Sequence, residues 1–294
     1  MGPRCGTKCP VRSGMGRALC WKEWGDTMTG EIYVGVDGSL AARAALEWAL
    51  DRAAAVGDEL VLVYVVDDEW GTVGSSARAE LSGNAERIVE QELASARAAA
   101  PLVPARAVVA VGNPMLTLAA LAREAELIVV GTHRTGYFRG RAFGSRSLQL
   151  AATSSTPVAI IPQVPGRTRR GVVLGIDTAA ASNEAIEFAA YEATRLRSDL
   201  TLLHSTWPKP LTEVFAHAVF DATLSAIREA APGLAVRPRL VEEPAAEALT
   251  DLSRNMALVV AGRPRRAGAE DRGLGTVAHD LLLNQAGPVV IVPE

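Results

Sequence analysis

"EIYVGVDGSLAARAALEWAL" (residues 31–50) and "GVVLGIDTAAASNEAIEFAA" (residues 171–190) are two versions of one pattern. Each opens on a short run of apolar, β-favouring residues, closes it with an aspartate, and passes into a helical pattern. Asp37 aligns with Asp177, 140 residues further on, and at that offset "DELVLVYVVD" (58–67) aligns with "SDLTLLHSTW" (198–207). Later landmarks run at a shorter offset of 131, which aligns Gly131 with Gly262 and Gly144-Ser145 with Gly275-Thr276. The second copy is thus nine residues shorter, and the loss falls between its second strand and its glycine-bearing segment. The chain is one domain written twice.

Within the first copy the pattern predicts strands at 31–36, 59–66, 105–111, 127–131 and 157–162, with helices at 39–56, 81–100, 114–125 and 144–153. Helix 39–56 has Ser39 as its N-cap, Ala42, Ala45, Leu46, Ala49, Leu50 and Ala53 along one face, and Gly57 just past its end. Runs such as "LIVV" are apolar without alternation, as in a parallel sheet covered on both faces. The second copy repeats the order, with strands at 171–176, 199–206, 235–241, 257–262 and 288–292. The fold class is therefore α/β, two tandem five-stranded, mainly parallel sheets flanked by helices. "QVPGRTRR" (163–170) has the proline, glycine and charge of a linker, so domain one is read as 31–163, the linker as 164–170 and domain two as 171–294.

Composition narrows the function classes. The chain has 294 residues, 49% hydrophobic and 21% charged, enough to bury two ordinary cores. A net charge of -3 argues against nucleic acid as a partner. The longest apolar runs fall well short of the ~20 residues that cross a bilayer, so no membrane partner is expected. The three cysteines, Cys5, Cys9 and Cys20, all lie in the first 20 residues. They offer no disulfide framework and no common zinc spacing, which fits a reducing cytoplasm. Residues 1–30 lack the apolar core of a secretory signal and are read as a disordered extension or, up to Met28, as a product of start-site assignment.

In a doubly wound sheet ligands sit beyond the carboxyl ends of the strands, where the winding reverses. Asp37 and Gly131 fall at two such ends. The segment from Gly131 leads into a helix opening at Gly144-Ser145, whose N–H groups and dipole suit an anion. Gly144 would let backbone approach closely, and the hydroxyls of Ser145 and Ser147 could donate to phosphate. A purely structural strand–glycine–helix turn has the same spacing, so both readings stand at this point.

The order of elements together with these residues resembles the universal stress protein family, across residues 31–294 as a tandem pair. The resemblance implies an adenine-nucleotide-binding, Rossmann-like fold in each copy. Nucleotide-binding members carry Gly, two residues, Gly, nine residues, then Gly-Ser or Gly-Thr. The outer matches here are Gly131 and Gly144-Ser145. The family's aspartate near adenosine falls on Asp37, its apolar adenine contact on Val65, and a histidine found in some members on His133. The second copy matches at Asp177, Gly262 and Gly275-Thr276, with Ser205 in the place of Val65. The function implied by the resemblance is a stress-response regulator binding ATP, with or without Mg2+, mainly in domain one. The resemblance also implies antiparallel pairing of the last strands of the two domains, "PVAIIP" (157–162) and "PVVIVP" (288–293). A homodimer through other faces stays open.

Both copies depart from the family at its middle glycine, which is Arg134 in one and Arg265 in the other. The second copy also carries Pro264, and Ala278 in place of Ser147. Enzyme readings find little support. The lysines are Lys8, Lys22 and Lys209, outside both glycine segments, and no G-x-S-x-G elbow occurs. The histidines, His133, His204, His217 and His279, lack metal-ligand spacing. The chain is expected to be a binder, any ATP hydrolysis being slow and secondary. The alternative is an interaction module that needs no nucleotide, its glycine segments being scaffold.

Arg134 separates two outcomes. As a cation beside the phosphates, its replacement in Arg134→Gly weakens ATP binding and lowers its salt sensitivity; as a plug, the same change tightens binding. Arg139, Arg141 and Arg146 share the segment and would repel one another without an anion, so weaker binding is expected by calorimetry at two salt concentrations. Tighter binding at ordinary salt reverses that assignment.

Overall fold

The computed structural model describes residues 30–68, 75–132, 145–163, 169–177, 182–208, 213–263 and 273–293. In the first copy these form β1 (Glu31–Gly35), α1 (Leu40–Val56), β2 (Glu59–Val66), α2 (Ser75–Ala99), β3 (Ala105–Val111), α3 (Pro114–Leu121), β4 (Leu127–Thr132), α4 (Ser145–Thr153) and β5 (Val158–Pro162). The second copy continues as β6 (Val172–Ile176), α5 (Asn183–Arg195), β7 (Leu200–Ser205), α6 (Glu213–Ala230), β8 (Val236–Val241), α7 (Ala245–Ser253), β9 (Leu258–Arg263), α8 (Thr276–Asn284) and β10 (Val289–Pro293).

Local chemistry accounts for these boundaries. Ser39 caps α1 by accepting from Ala42 N, and Gly57 ends it in the left-handed region at φ 85, donating to Ala53 O. All six residues of the expected apolar face of α1 are buried. Two helices differ from expectation. Helix α2 begins at Ser75 rather than 81, because "SSARAE" is rich in helix formers yet carries no apolar stripe to reveal it. Helix α3 stops at Leu121 rather than 125. There Ala125 N donates to Ala122 O in a tight turn that keeps both alanines buried while sending the chain into β4.

The two five-stranded units do not remain separate sheets. They join into one ten-stranded sheet of order β3-β2-β1-β4-β5-β10-β9-β6-β7-β8. Each half is parallel, and the junction of β5 with β10 is antiparallel, with Ile160 opposite Val289, Ala159 opposite Val290 and Val158 opposite Ile291. Helices α1, α2, α5 and α6 cover one face, and α3, α4, α7 and α8 the other. Both core layers run without a break through the two copies. Among the described residues no helix is long and apolar enough to cross a membrane.

Ala159 and Val290 are equivalent positions of the two copies, so a pseudo-twofold axis passes between them. A second equivalent pair meets on that axis. Arg52 of α1 and Glu192 of α5, 140 residues apart, are 2% and 0% exposed and bond Nε to Oε1 at 2.9 Å. Asp58 takes the other side of Arg52 at 3.0 Å, and Arg195 the other oxygen of Glu192 at 2.6 Å. Burial pulls the Arg52 pKa down, but the charge and hydrogen bond of Glu192, aided by Asp58, outweigh it and hold the group above its ordinary value. Two more cross-domain bonds frame the junction. Arg263 Nη1 donates to Ala151 O near the end of α4 at 2.8 Å, and Gln285 Nε2 donates to Ile160 O of β5 at 3.4 Å.

Removing Glu192 leaves the buried Arg52 with Asp58 alone and takes from Arg195 the carboxylate it bonds. Glu192→Ala should cost about 3–5 kcal/mol, whereas Arg52→Met with Glu192→Met should recover most of the loss. Urea unfolding of the two variants checks this; equal losses in both would mean that the charges are not what destabilises. A second prediction concerns Gly131 in β4. A Cβ there would overlap the carbonyl of Ala41 and lie 2.7 Å from Ala42 N, so this glycine lets the first turn of α1 settle on the strand. Gly131→Ala should destabilise the protein by about 1–3 kcal/mol with no ligand present. An unchanged melting temperature would show that α1 does not sit so close.

Candidate functional site

The strand order places β1 beside β4 in domain one and β6 beside β9 in domain two. These are the points where the winding reverses, and the crevice at their carboxyl ends is where each copy can hold a ligand. The residues around each crevice are held by the local turns.

In domain one Asp37 lies just past β1 and is exposed. Its Oδ1 accepts from Ser39 N at 2.9 Å, Gly38 takes φ 79, and Ser39 Oγ in turn caps α1. The aspartate therefore shapes the β1–α1 turn while remaining at the mouth of the crevice. Val65, near the end of β2, is half-buried against the core layer that holds α3 and α4. Gly131 lies within β4, beside Ile161 of β5. Its want of a side chain is accounted for by the contact with α1, so the glycine by itself does not signal phosphate. Ser145, Arg146 and Ser147 form the first turn of α4, with Arg146 exposed and Ser147 half-buried. His133, Arg134 and Gly144 lie outside the described residues, as do Pro264 and Arg265.

One contact joins these pieces, and no motif in the sequence announces it. Arg146 Nη2 bonds Asp67 Oδ2 at 2.9 Å, tying the first turn of α4 to the end of β2. The expected phosphate end and the expected adenine end of the crevice are thereby one arginine side chain apart. The pair is hard to foresee because its members are 79 residues apart. The only local sign is the acidic "DD" that closes the second strand pattern at 67–68.

Domain two keeps the scaffold and changes the lining. Asp177 is again exposed at the end of β6. Gly262 lies within β9, opposite Val292. Gly275 stands at the N-cap of α8 with φ 78 and ψ 151, a backbone conformation that favours glycine. It offers no side chain to cap the helix. Thr276 is exposed, and Ala278, in the place of Ser147, is buried. Ser205, in the place of Val65, is committed elsewhere, its Oγ donating to Glu243 O at 2.6 Å and accepting from Trp207 N at 3.2 Å. At the positions of Asp67 and Arg146 stand Trp207, 61% exposed, and Val277, 41% exposed. An ion pair at one mouth is replaced by two exposed apolar side chains at the other.

Nothing among the described residues gathers three or more His, Cys, Asp or Glu side chains to hold a metal. His279 is exposed on α8, 3.2 Å from Asp280, and His204 is buried with Nδ1 3.1 Å from Ile176 O. Among the described residues neither belongs to a group of three ligand-type side chains.

Comparison with known proteins agrees with this architecture. Residues 28–162 and 168–293 each match the model of the Universal stress protein family. Universal stress protein Rv2623 of Mycobacterium tuberculosis H37Rv is 32% identical over 289 residues, 90% of this chain and 96% of that one. Universal stress protein Rv1996 of the same strain is 29% identical over 300 residues, 88% and 94% of the two chains. A solved universal stress protein from Archaeoglobus fulgidus DSM 4304 superposes with a TM-score of 0.73 over 91% of this chain and 99% of that one. At 18% identity that is a likeness of fold. By its two family matches and by relatives that share its whole tandem length, this chain belongs to the universal stress protein family.

Proposed function

We propose that the protein is a stress-response regulator that binds an adenine nucleotide, ATP, with or without Mg2+, chiefly in domain one. Family membership supports the stress-response role. The observation that carries the nucleotide reading is the Arg146–Asp67 pair at the mouth of the first crevice. Its side chains are 63% and 17% exposed, and a pair so open to water contributes only about 0–1 kcal/mol. A phosphate group offers the guanidinium two parallel, charge-assisted bonds and can take the place of one half-buried carboxylate. Arg146 is therefore a cation held ready at a helix N-terminus, where an anion is favoured. Domain two offers Trp207 and Val277 at those positions, which is why domain one is assigned most of the binding. We assign binding rather than turnover, since neither glycine segment contains a lysine.

The competing reading, an interaction module without nucleotide, draws on Gly131 and Gly275, each of which has a structural reason to be glycine. Melting curves with and without ATP separate the two, because a ligand selective for the native state raises the melting temperature. ATP should raise it in the wild type. Calorimetry on Arg146→Ala should then show about tenfold weaker binding, close to 1.4 kcal/mol, with the fold retained. No thermal shift in the wild type supports the module; a shift with unchanged affinity in the variant moves the phosphates away from α4.

A further inference from the structure

The outer edges of the ten-stranded sheet are β3 and β8, and they are built in opposite ways. Leu200 N donates to Ala235 O, and Thr206 N to Val241 O. Those bonds turn the odd-numbered residues of β8 toward β7, so by strand alternation the even-numbered ones point their main-chain groups outward. Pro238 is one of these, and it leaves the middle of that edge without a donor. Arg237 and Arg239, both exposed, flank it. Proline and charge are the usual means of keeping a foreign strand off an edge.

Strand β3 has no proline, and of the two flanking charges it keeps only Arg106, which stands at the place of Arg237 and is drawn into ion pairs with Glu31 and Glu59. Its sequence is ARAVVAV. Leu60 N donates to Pro104 O and Gly112 N to Val66 O, which turns the even-numbered residues toward β2 and Ala105, Ala107, Val109 and Val111 outward. Arg97 covers the Ala105 carbonyl at 2.8 Å. Among the described residues nothing bonds the outward groups of Ala107, Val109 or Val111. Ala107, in register with Leu62, occupies the place that Pro238, in register with Leu202, holds in the second copy. One copy has proline at the position where the other, among the described residues, keeps an outward N–H with no partner.

We propose that β3 is the edge through which two copies of this chain associate, antiparallel and centred on Val108. In that register Ala107 opposes Val109 of the second copy, the arrangement that exchanges both main-chain bonds, while Ala105, its carbonyl already covered by Arg97, offers Val111 its N–H. Arg106 then faces Ala110, so no like charges oppose, and Val108 meets its own counterpart on the axis. Exposed apolar side chains point the same way. Leu102, 97% exposed, precedes β3, while Val111 and Leu116, each 48% exposed, lie at its far end. Antiparallel pairing carries the first of one copy toward the other two of its mate, on both sides of the axis. A single strand pair is small beside the roughly 1,600 Å² of a standard interface, so the dimer is a concentration-dependent one.

Sedimentation velocity on the full chain over a concentration series tests this. Wild type should pass from monomer to dimer as concentration rises. Ala107→Pro transplants the block of β8 to an outward position, where the monomer's own ladder loses no bond, and should weaken the dimer at least tenfold with an unchanged circular dichroism spectrum. As an independent measurement, Val108→Lys and Val108→Glu should each stay monomeric, because like charges meet on the axis, and should associate when mixed in equal amounts. The proposal is overturned by a wild type that stays monomeric up to its solubility limit, by a dimer that Ala107→Pro leaves intact, or by folded charge variants that do not associate on mixing.

Discussion

The antiparallel ladder between β5 and β10 fixes where everything else between the two halves can be. Both strands are apolar throughout and almost wholly buried, and as free edges they would invite other chains. Paired, they become the central strands of one sheet, and the two core layers continue across them. With Ala159 opposite Val290, the pseudo-twofold axis is set, and any residue near it must face its own equivalent. Arg52 and Glu192 are such a pair. In a symmetric dimer of identical domains that position would oppose arginine to arginine or glutamate to glutamate. Only a fused pair, free to vary each copy alone, can place opposite charges there. Burying an ion pair gives little net stability against an apolar pair of similar volume. Its effect lies in discrimination, since a domain-one surface brought against another domain one would bury two arginines against each other in place of an arginine against a glutamate.

Most of the fold was legible because it arises from local pattern. Runs such as LIVVGT and VVIVP declare buried strands, and the strand boundaries differ from the structure by a residue or so. Ser39 and Gly57 bound α1 by capping chemistry that acts within a few residues. The start of α2 escaped because helix propensity without an apolar stripe is a weak signal, and the end of α3 because a buried turn through Ala122 and Ala125 continues the apolar pattern past the helix. Arg52 and Glu192 were invisible for a different reason. A lone charge on an amphipathic helix reads as solvent-facing until the partner domain is in place.

The site was legible in part, and partly for reasons other than the expected ones. Asp37 stands where the motif puts it, yet one of its oxygens shapes the turn that launches α1. Gly131 is glycine because the carbonyl of Ala41 leaves no room for a Cβ, and Gly275 because its φ is positive. Two of the residues that define the motif thus satisfy the backbone before any ligand arrives. The glycines alone therefore tell a scaffold more surely than they tell a nucleotide.

The charges and ring systems around the glycines carry the finer information, because the scaffold does not require them. The identities of Asp67 and Arg146 are not fixed by the fold, since the second copy folds with Trp207 and Val277 in their places. Residues that the fold leaves free are the ones whose chemistry can be set by function. The first copy uses that freedom to hold a guanidinium at a helix N-terminus, balanced by a carboxylate in contact with water. The second uses it to expose an indole after β7 and a β-branched side chain in the first turn of α8. Two crevices built on one scaffold therefore differ among their described residues, the first carrying an ion pair where the second carries two apolar side chains.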